Sequence, residues 1–591
     1  MISLKLLIIL TILGLTGIVH TEEIAPRVKT PSGGIQGYYK ISANGRSYEA
    51  YEGIPYAIPP VGKLRFKPPQ KIPAWPGELL ATKFGSSCLQ YEQIINESED
   101  RVQGSEDCLY LNIYVPTREH TNSRLPLLPV IFWIHGGAFQ FGSGSDMGAK
   151  FLMDRDIVFV TINYRLGLLG FLSTEDDVVS GNMGLKDQNM ALKWVFENIE
   201  WFGGDFNKIT LAGLSAGAAS VHYHYLSHLS FGLFQGGISI SGTAFDCWTQ
   251  TENSLEKAKK LGAIMGCPTN NTRDMVHCLR YRPGRTLVHA TREFQPWLYN
   301  PFTPFGPVVE KHGNAPFIDQ SPIDIIQSGN AQDIPWITST TSEEGLYPVA
   351  QFIADDKYLK ELNENWNTIA PYFLDFYYTI PTKKQVKTAE LIRKHYFGSK
   401  QINKTTVEFL IQIAGDRFFT VDSIKAAKIQ AKVNQKPVWY YYYTYRGAHS
   451  LSECFTKSNE NFGVSHADDA FLILDTPYFN PATTNDDIDM QQELIDLWIS
   501  FATNNIPQIG TTKWIEVDPS QKEFRFLHIA GPGKYYMDNN TNFKNKDFWN
   551  NISFDENISK QTQQCYNYKN LYIRNIMGIK IFQEKLNKII H

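Results

Sequence analysis

The sequence predicts an α/β body built on a large, mostly parallel sheet with helices on both faces, and three observations carry that reading. The segments "LPVIFWIHGG", "IVFVTINYRL", "KITLAGLS", "GGISISG", "IPWITSTTSEEG" and "VWYYYYTYRGAHS" are near-continuous apolar or β-branched runs of strand length. Helical patterns such as "DQNMALKWVFENIEWF" lie between several of them. None alternates polar with apolar, so each strand is expected to be buried on both faces, as in a parallel sheet covered by crossover helices. Taken in order, Ile35 to Phe66 opens the body with short strands and Gly/Pro turns, the apolar strands follow, and the helical stretch from about Ser254 to Gln435 reads as insertions on one scaffold. No repeat or long Pro/Ser-rich linker divides the chain. One domain over residues 22–571 is expected, between a segment 1–21 and an amphipathic tail 572–591.

The opening "MISLKLLIILTILGLTGIVHTEE" has one lysine, an apolar run from Leu6 to about Val19 and then small and polar residues, the pattern of a cleaved secretory signal. No other run is long and apolar enough to span a bilayer, and the charged C-terminal "YIRNIMGIKIFQEKLNKIIH" argues against a lipid-anchor signal. Six N-x-S/T sequons, at Asn96, Asn270, Asn403, Asn539, Asn551 and Asn557, fit a secreted glycoprotein. Of seven cysteines, Cys88 and Cys108 enclose one polar loop and Cys267 and Cys278 a shorter one, so two local disulfides are expected; Cys247, Cys454 and Cys565 are left over. The formal net charge of −4 gives no field suited to nucleic acid or an anionic membrane surface. With no C-x-x-C pair, neither zinc nor thioredoxin chemistry is suggested, and no cofactor is expected.

The chemistry is concentrated at "ITLAGLSAGAAS", where Ser215 stands between an apolar strand and a helix start, with Gly213 and Gly217 on either side. This G-x-S-x-G pattern is a nucleophile elbow, in which the glycines remove side chains where strand and helix converge. A serine hydroxyl is a poor nucleophile at neutral pH, so a histidine base and an acid to orient it are required. In this architecture they follow in the order acid, histidine, each at the end of a later strand. "TSTTSEEGLY" offers Glu343 or Glu344 as the acid, and "NFGVSHADDAF" offers His466 as the base. "WIHGGAFQFGSG" ends a strand on two glycines, where backbone N–H groups could meet a developing oxyanion.

These segments, together with "YEGIPYAIPPVGKLRF", "SEDCLYLNIYVP", "NYRLGLLGF" and "GNMGLKDQNMALKWV", make the chain resemble the type B carboxylesterases, the carboxylesterase/cholinesterase group of α/β hydrolases, from about Pro26 to about Phe526. "GLSAGAASVHYHYLS" and "GVSHADD" look most like the secreted insect carboxylesterases. The resemblance implies an α/β-hydrolase fold and a serine esterase with Ser215 as nucleophile, Glu344 as acid and His466 as base. It implies oxyanion donors at Gly137, Ala138 and Ala216, with the Ala138 methyl narrowing a hole where the family often has a third glycine. It also implies Ser241 as a neighbour of the triad and Trp248 as a wall of the acyl pocket, and it supports the Cys88–Cys108 and Cys267–Cys278 pairings.

Two departures bear on the substrate. Leu214 stands where cholinesterases carry a glutamate and juvenile hormone esterases a glutamine, and the Cys88 to Cys108 loop has no tryptophan, so no cage for a quaternary ammonium is evident. An uncharged small-molecule ester is the expected substrate. A non-catalytic adhesion or ligand-binding protein on the same fold and a slow-turnover sequestering esterase are the competing readings. His224 and His228 have the i, i+4 spacing of metal ligands, but with no acidic or cysteine partner beside them, and His222, His224 and His228 are expected to be structural.

Overall fold

The computed structural model describes residues 25–92, 100–118, 125–477, 479–552, 554 and 556. The expected segments 1–21 and 572–591, with Asn96, Asn557 and Cys565, lie outside these residues.

Eleven strands form the main sheet: β1 (Tyr38–Ile41), β2 (Ser47–Pro55), β3 (Tyr110–Pro116), β4 (Leu128–Ile134), β5 (Val158–Ile162), β6 (Gly204–Leu214), β7 (Gly236–Ile240), β8 (Trp336–Thr341), β9 (Val438–Tyr443), β10 (Phe524–Gly531) and β11 (Lys534–Asn540). Their spatial order is 11-10-9-8-7-6-4-5-3-2-1. Strands β4 to β10 are parallel to one another, while β1, β2, β3 and β11 join at the two edges as antiparallel neighbours. All six apolar runs singled out in the sequence are strands of the parallel part.

The absence of alternation in those runs has the expected cause. In β4, Val130, Phe132 and Ile134 enter one hydrophobic core, while Ile131 and Trp133 enter a second core on the opposite face. In β5, Val158, Val160 and Ile162 oppose Phe159 in the same way. Successive side chains point to opposite faces, and both faces are covered, so all positions are buried and all but Thr161 of β5 are apolar. Helix α1 (Met183–Asn198) is the amphipathic run of the sequence, and it passes into a 3₁₀ turn over Ile199–Phe202. Helix α2 (Ala216–Leu226) packs on β6 and β7 and is buried on every side, which its small-residue composition permits.

Both expected disulfides are present, Cys88–Cys108 and Cys267–Cys278. Cys247 is a buried thiol and Cys454 a half-buried one. The four sequon asparagines among the described residues, Asn270, Asn403, Asn539 and Asn551, are all exposed. Among the described residues no helix is long and apolar enough to cross a membrane.

Candidate active site

Strands β5 and β6 lie on either side of β4, so the connections that leave their carboxyl ends diverge and open a crevice there. Ser215 follows β6 directly and has φ 58° and ψ −121°, a strained conformation for a residue with a Cβ. The strain is held by close packing of backbone on backbone. A Cβ on Gly213 would run into the Gly217 carbonyl, and one on Gly217 into the Ile134 carbonyl at the end of β4. The turn is further fixed by Ser215 N–H donating to the Ile240 carbonyl at 2.9 Å.

Strand β4 ends beside this turn. Gly137 has φ +101°, and a Cβ there would strike the Phe141 carbonyl. Ala138 and Phe139 follow with φ 51° and 60°, so an alanine occupies a left-handed position. Among the described residues, no hydrogen bond takes up the N–H groups of Gly137, Ala138 or Ala216. Ala216 is the first residue of α2, where the helix dipole is positive.

Glu344 lies three residues past β8, and His466 lies in the long connection between β9 and β10. His466 Nδ1 is 2.6 Å from Glu344 Oε2, with both side chains buried. The other carboxylate oxygen, Oε1, accepts from Ser241 Oγ at 2.5 Å and from Thr341 N–H at 2.7 Å. Glu344 therefore has a fixed orientation. The His466 ring lies 4.5 Å from Phe419 and 5.2 Å from Tyr347, centroid to centroid.

Glu343 takes a different place. Its carboxylate accepts from Val464 N–H at 2.8 Å and from Ser342 Oγ, while its own N–H donates to the Val464 carbonyl at 3.0 Å. It ties the acid loop to the histidine loop. Asp468, two residues past His466, does similar work from the other side, accepting from Ser465 N–H at 2.8 Å and Leu451 N–H at 2.9 Å. Burial pushes its carboxyl up to about 7.

Ser215 and His466 line one cavity of about 380 Å³. Its walls include Phe141, Met147, Leu214, Tyr347, Leu451 and Phe455, so the space beside the serine is chiefly apolar. Glu92 and Asp146 are its acidic members; burial, helped by the charge of Glu92, pushes Asp146 up to about 6. Trp248, expected as a wall of the acyl pocket, does not line this cavity. Its indole is buried, its N–H donates to the Phe418 carbonyl at 2.8 Å, and its ring lies among Phe139, Phe302 and Phe419. Phe419 packs near both rings, 6.0 Å from Trp248 and 4.5 Å from His466, centroid to centroid, and so links Trp248 to the histidine.

Leu451, Cys454 and Phe455, spaced i, i+3, i+4 on helix α3 (Leu451–Thr456), line the cavity, and that spacing was the available sequence signal for them. Phe419 carried no such signal.

The histidines of α2 are structural. His222 Nδ1 accepts from Ala244 N–H at 3.1 Å and its Nε2 meets Gln430 Oε1 at 2.8 Å; His224 bonds Ser230 and Gln188. Among the described residues no group of three His, Cys, Asp or Glu side chains is placed to hold a metal ion. Burial depresses His222 from 6.5 to about 4, so it is neutral in the folded protein at pH 6, whereas the unfolded chain takes up a proton near 6.5. The unfolded state then binds more protons, and this stability is present above about pH 6.5 and lost as pH falls toward 4. Between these pH values the wild type should lose up to about 3 kcal/mol more unfolding free energy than a His222→Gln variant. Urea titrations of both proteins at each pH measure the difference; parallel losses would show that His222 is not held neutral.

The Carboxylesterase family model matches residues 24–549. The chain belongs to that family. The esterase is 53% identical over 558 residues to Venom carboxylesterase-6 of Apis mellifera, a match covering 94% of this chain and 100% of the relative. It is 54% identical over 552 residues to a carboxylic ester hydrolase of Bombus ignitus, covering 93% and 98%. Among solved structures, juvenile hormone esterase from Manduca sexta, with OTFP covalently attached, superposes with a TM-score of 0.77 at 28% identity, covering 89% of this chain and 99% of that one. The α/β-hydrolase fold and carboxylic ester hydrolysis follow for this enzyme.

Proposed function

We propose that the enzyme is a secreted serine esterase that cleaves uncharged carboxylic esters through an acyl-enzyme on Ser215, with His466 as base and Glu344 as the acid that orients it. The observation that carries this reading is the 2.6 Å contact of Glu344 with His466 Nδ1, which leaves Nε2 as the proton acceptor in the cavity that holds Ser215. His466 removes the Ser215 proton as Oγ bonds to the ester carbonyl carbon, and the carbonyl π pair becomes the oxyanion. The free N–H groups of Gly137, Ala138 and Ala216 are the donors available to that charge. The tetrahedral intermediate collapses, the C–O bond to the alcohol breaks, and the His466 proton goes to the leaving alkoxide. Water then attacks the acyl-enzyme with the same base and releases the acid and Ser215.

Leu214 beside the serine and the chiefly apolar walls of the cavity support an uncharged ester. Secretion is supported by the N-terminal pattern, by four exposed sequons and by two disulfides, which persist in oxidising compartments.

A phosphorylating organophosphate tests the mechanism, because its tetrahedral phosphorus imitates the intermediate. One equivalent should abolish activity, and peptide mass mapping should place the adduct on Ser215. An adduct on another residue would refute the assignment. A burst of one equivalent followed by negligible turnover of p-nitrophenyl acetate would favour a sequestering esterase.

A further inference from the structure

The groups that hold the triad from behind include two charged residues near the C-terminal end of the described chain. Lys544 has φ 53° and Asn545 φ 54°, so two successive left-handed residues turn the backbone there. From this turn Lys544 Nζ crosses the Tyr442 ring, 5.5 Å from its centroid, and donates to the Ser342 carbonyl at 2.7 Å. Ser342 is the first residue after β8, and Glu343 and Glu344 follow it. The ammonium thus grips the backbone from which the acid of the triad projects.

The second contact reaches the histidine. A single continuous helical stretch, Val407–Val433, is interrupted over Asp416–Thr420 by a π-helical turn, a local insertion often found at functional sites. This turn carries Phe419, whose ring packs on His466, and Phe418, whose carbonyl accepts from Trp248. It also carries Arg417, and every edge of that guanidinium is occupied. Nε donates to the Leu374 carbonyl and Nη2 to the Asp375 carbonyl, both at 3.1 Å, while Nη1 pairs with Glu556 at 2.7 Å. Its face lies 4.0 Å from the Phe554 ring. Both members of the ion pair are buried, at 4% and 2% exposure, so the pair is shielded from solvent and salt. Glu556 lies beyond residue 549, where the family match ends.

We propose that Lys544 and Glu556 are positioning residues for the triad, Lys544 fixing the Glu344 loop and Glu556 fixing, through Arg417, the turn that presses Phe419 on His466. Neither touches substrate. Their contribution is to hold the acid and the base in register from one terminal stretch of chain, so it acts on the rate of the chemical step and not on substrate binding. The proposal rests on the assignment of Ser215, His466 and Glu344, which organophosphate labelling of the wild type tests separately.

The test is steady-state hydrolysis of p-nitrophenyl acetate, with active-site titration and thermal unfolding, by wild type, Lys544→Met, Lys544→Arg, Glu556→Gln and the double variant Arg417→Met/Glu556→Met. In Lys544→Met and Glu556→Gln, kcat per titrated site should fall about three- to tenfold while KM stays within about twofold, as expected when a catalytic group sits slightly off its geometry. Lys544→Arg should recover most of kcat, since its guanidinium can still donate to the Ser342 carbonyl. Glu556→Gln leaves Arg417 buried without its counter-charge and can compromise folding; the double variant removes both charges at similar volume and should fold while showing the same loss of kcat. Wild-type kcat in folded Lys544→Met, or in the double variant, would overturn the proposal for that residue. A loss confined to thermal stability, or a rise in KM with kcat unchanged, would overturn it equally.

Discussion

Replacing Ser215 by alanine should leave no more than about a thousandth of the esterase activity in a protein that folds normally, because removing the nucleophile of a serine triad typically costs far more than that. The substitution is mild structurally. Ser215 Oγ makes no hydrogen bond within the described residues, and the turn is held by backbone contacts of Gly213, Gly217 and the Ile240 carbonyl, all of which survive. Alanine also relieves nothing and fills the same backbone conformation. The loss should therefore appear in kcat with an unchanged thermal midpoint. His466→Ala should be about as damaging, and the double variant hardly worse, since the two groups act as a unit. Residual activity above about a hundredth of wild type would be incompatible with nucleophilic catalysis at this position.

The adjacent glutamates should separate by orders of magnitude. Glu344→Gln is expected to lower kcat by about a thousand- to ten-thousandfold, the scale of a triad acid replaced by its amide, because an amide N–H₂ facing His466 selects the wrong tautomer. The two other donors on Glu344, from Ser241 and Thr341, favour the amide oxygen on their side and so turn the N–H₂ toward the histidine. Glu343→Gln should cost only a few-fold, since an amide oxygen still accepts from Val464 N–H and the loop tie persists. Comparable losses in the two variants would mean that Glu343 shares the work of the acid. The measurement is kcat for each variant normalised to titratable sites, with circular dichroism to confirm the fold.

Much of the site was legible before any coordinates. The elbow is a local pattern: Gly213, Ser215 and Gly217 must be adjacent because strand and helix meet within five residues, so the sequence carries it whole. Six of the seven strands of the parallel part were equally plain, because burial on both faces favours near-continuous apolar or β-branched runs that stand out from loops. The edge strand β11 and its neighbour β10 escaped notice for the opposite reason. Their burial alternates, as in the partly exposed β11, and a short half-polar run does not stand out from its surroundings.

What the sequence by itself determined is a set of candidates in order, Ser215 after β6, a glutamate after β8 and His466 after β9, with two disulfide loops closed over short separations and a family membership that the comparison bears out. Which residues surround that chemistry was decided by tertiary structure. Glu343 and Glu344 are indistinguishable in composition, and only the sheet register, which puts one carboxylate on His466 and the other on Val464 N–H, separates their places. Trp248 fell near the site along the chain, but the ring that links it to His466 is Phe419, which comes from 171 residues later and sits on a π-helical turn. Packing between segments distant in sequence follows from mutual exclusion of volume in a close-packed interior, and no pattern within either segment encodes it.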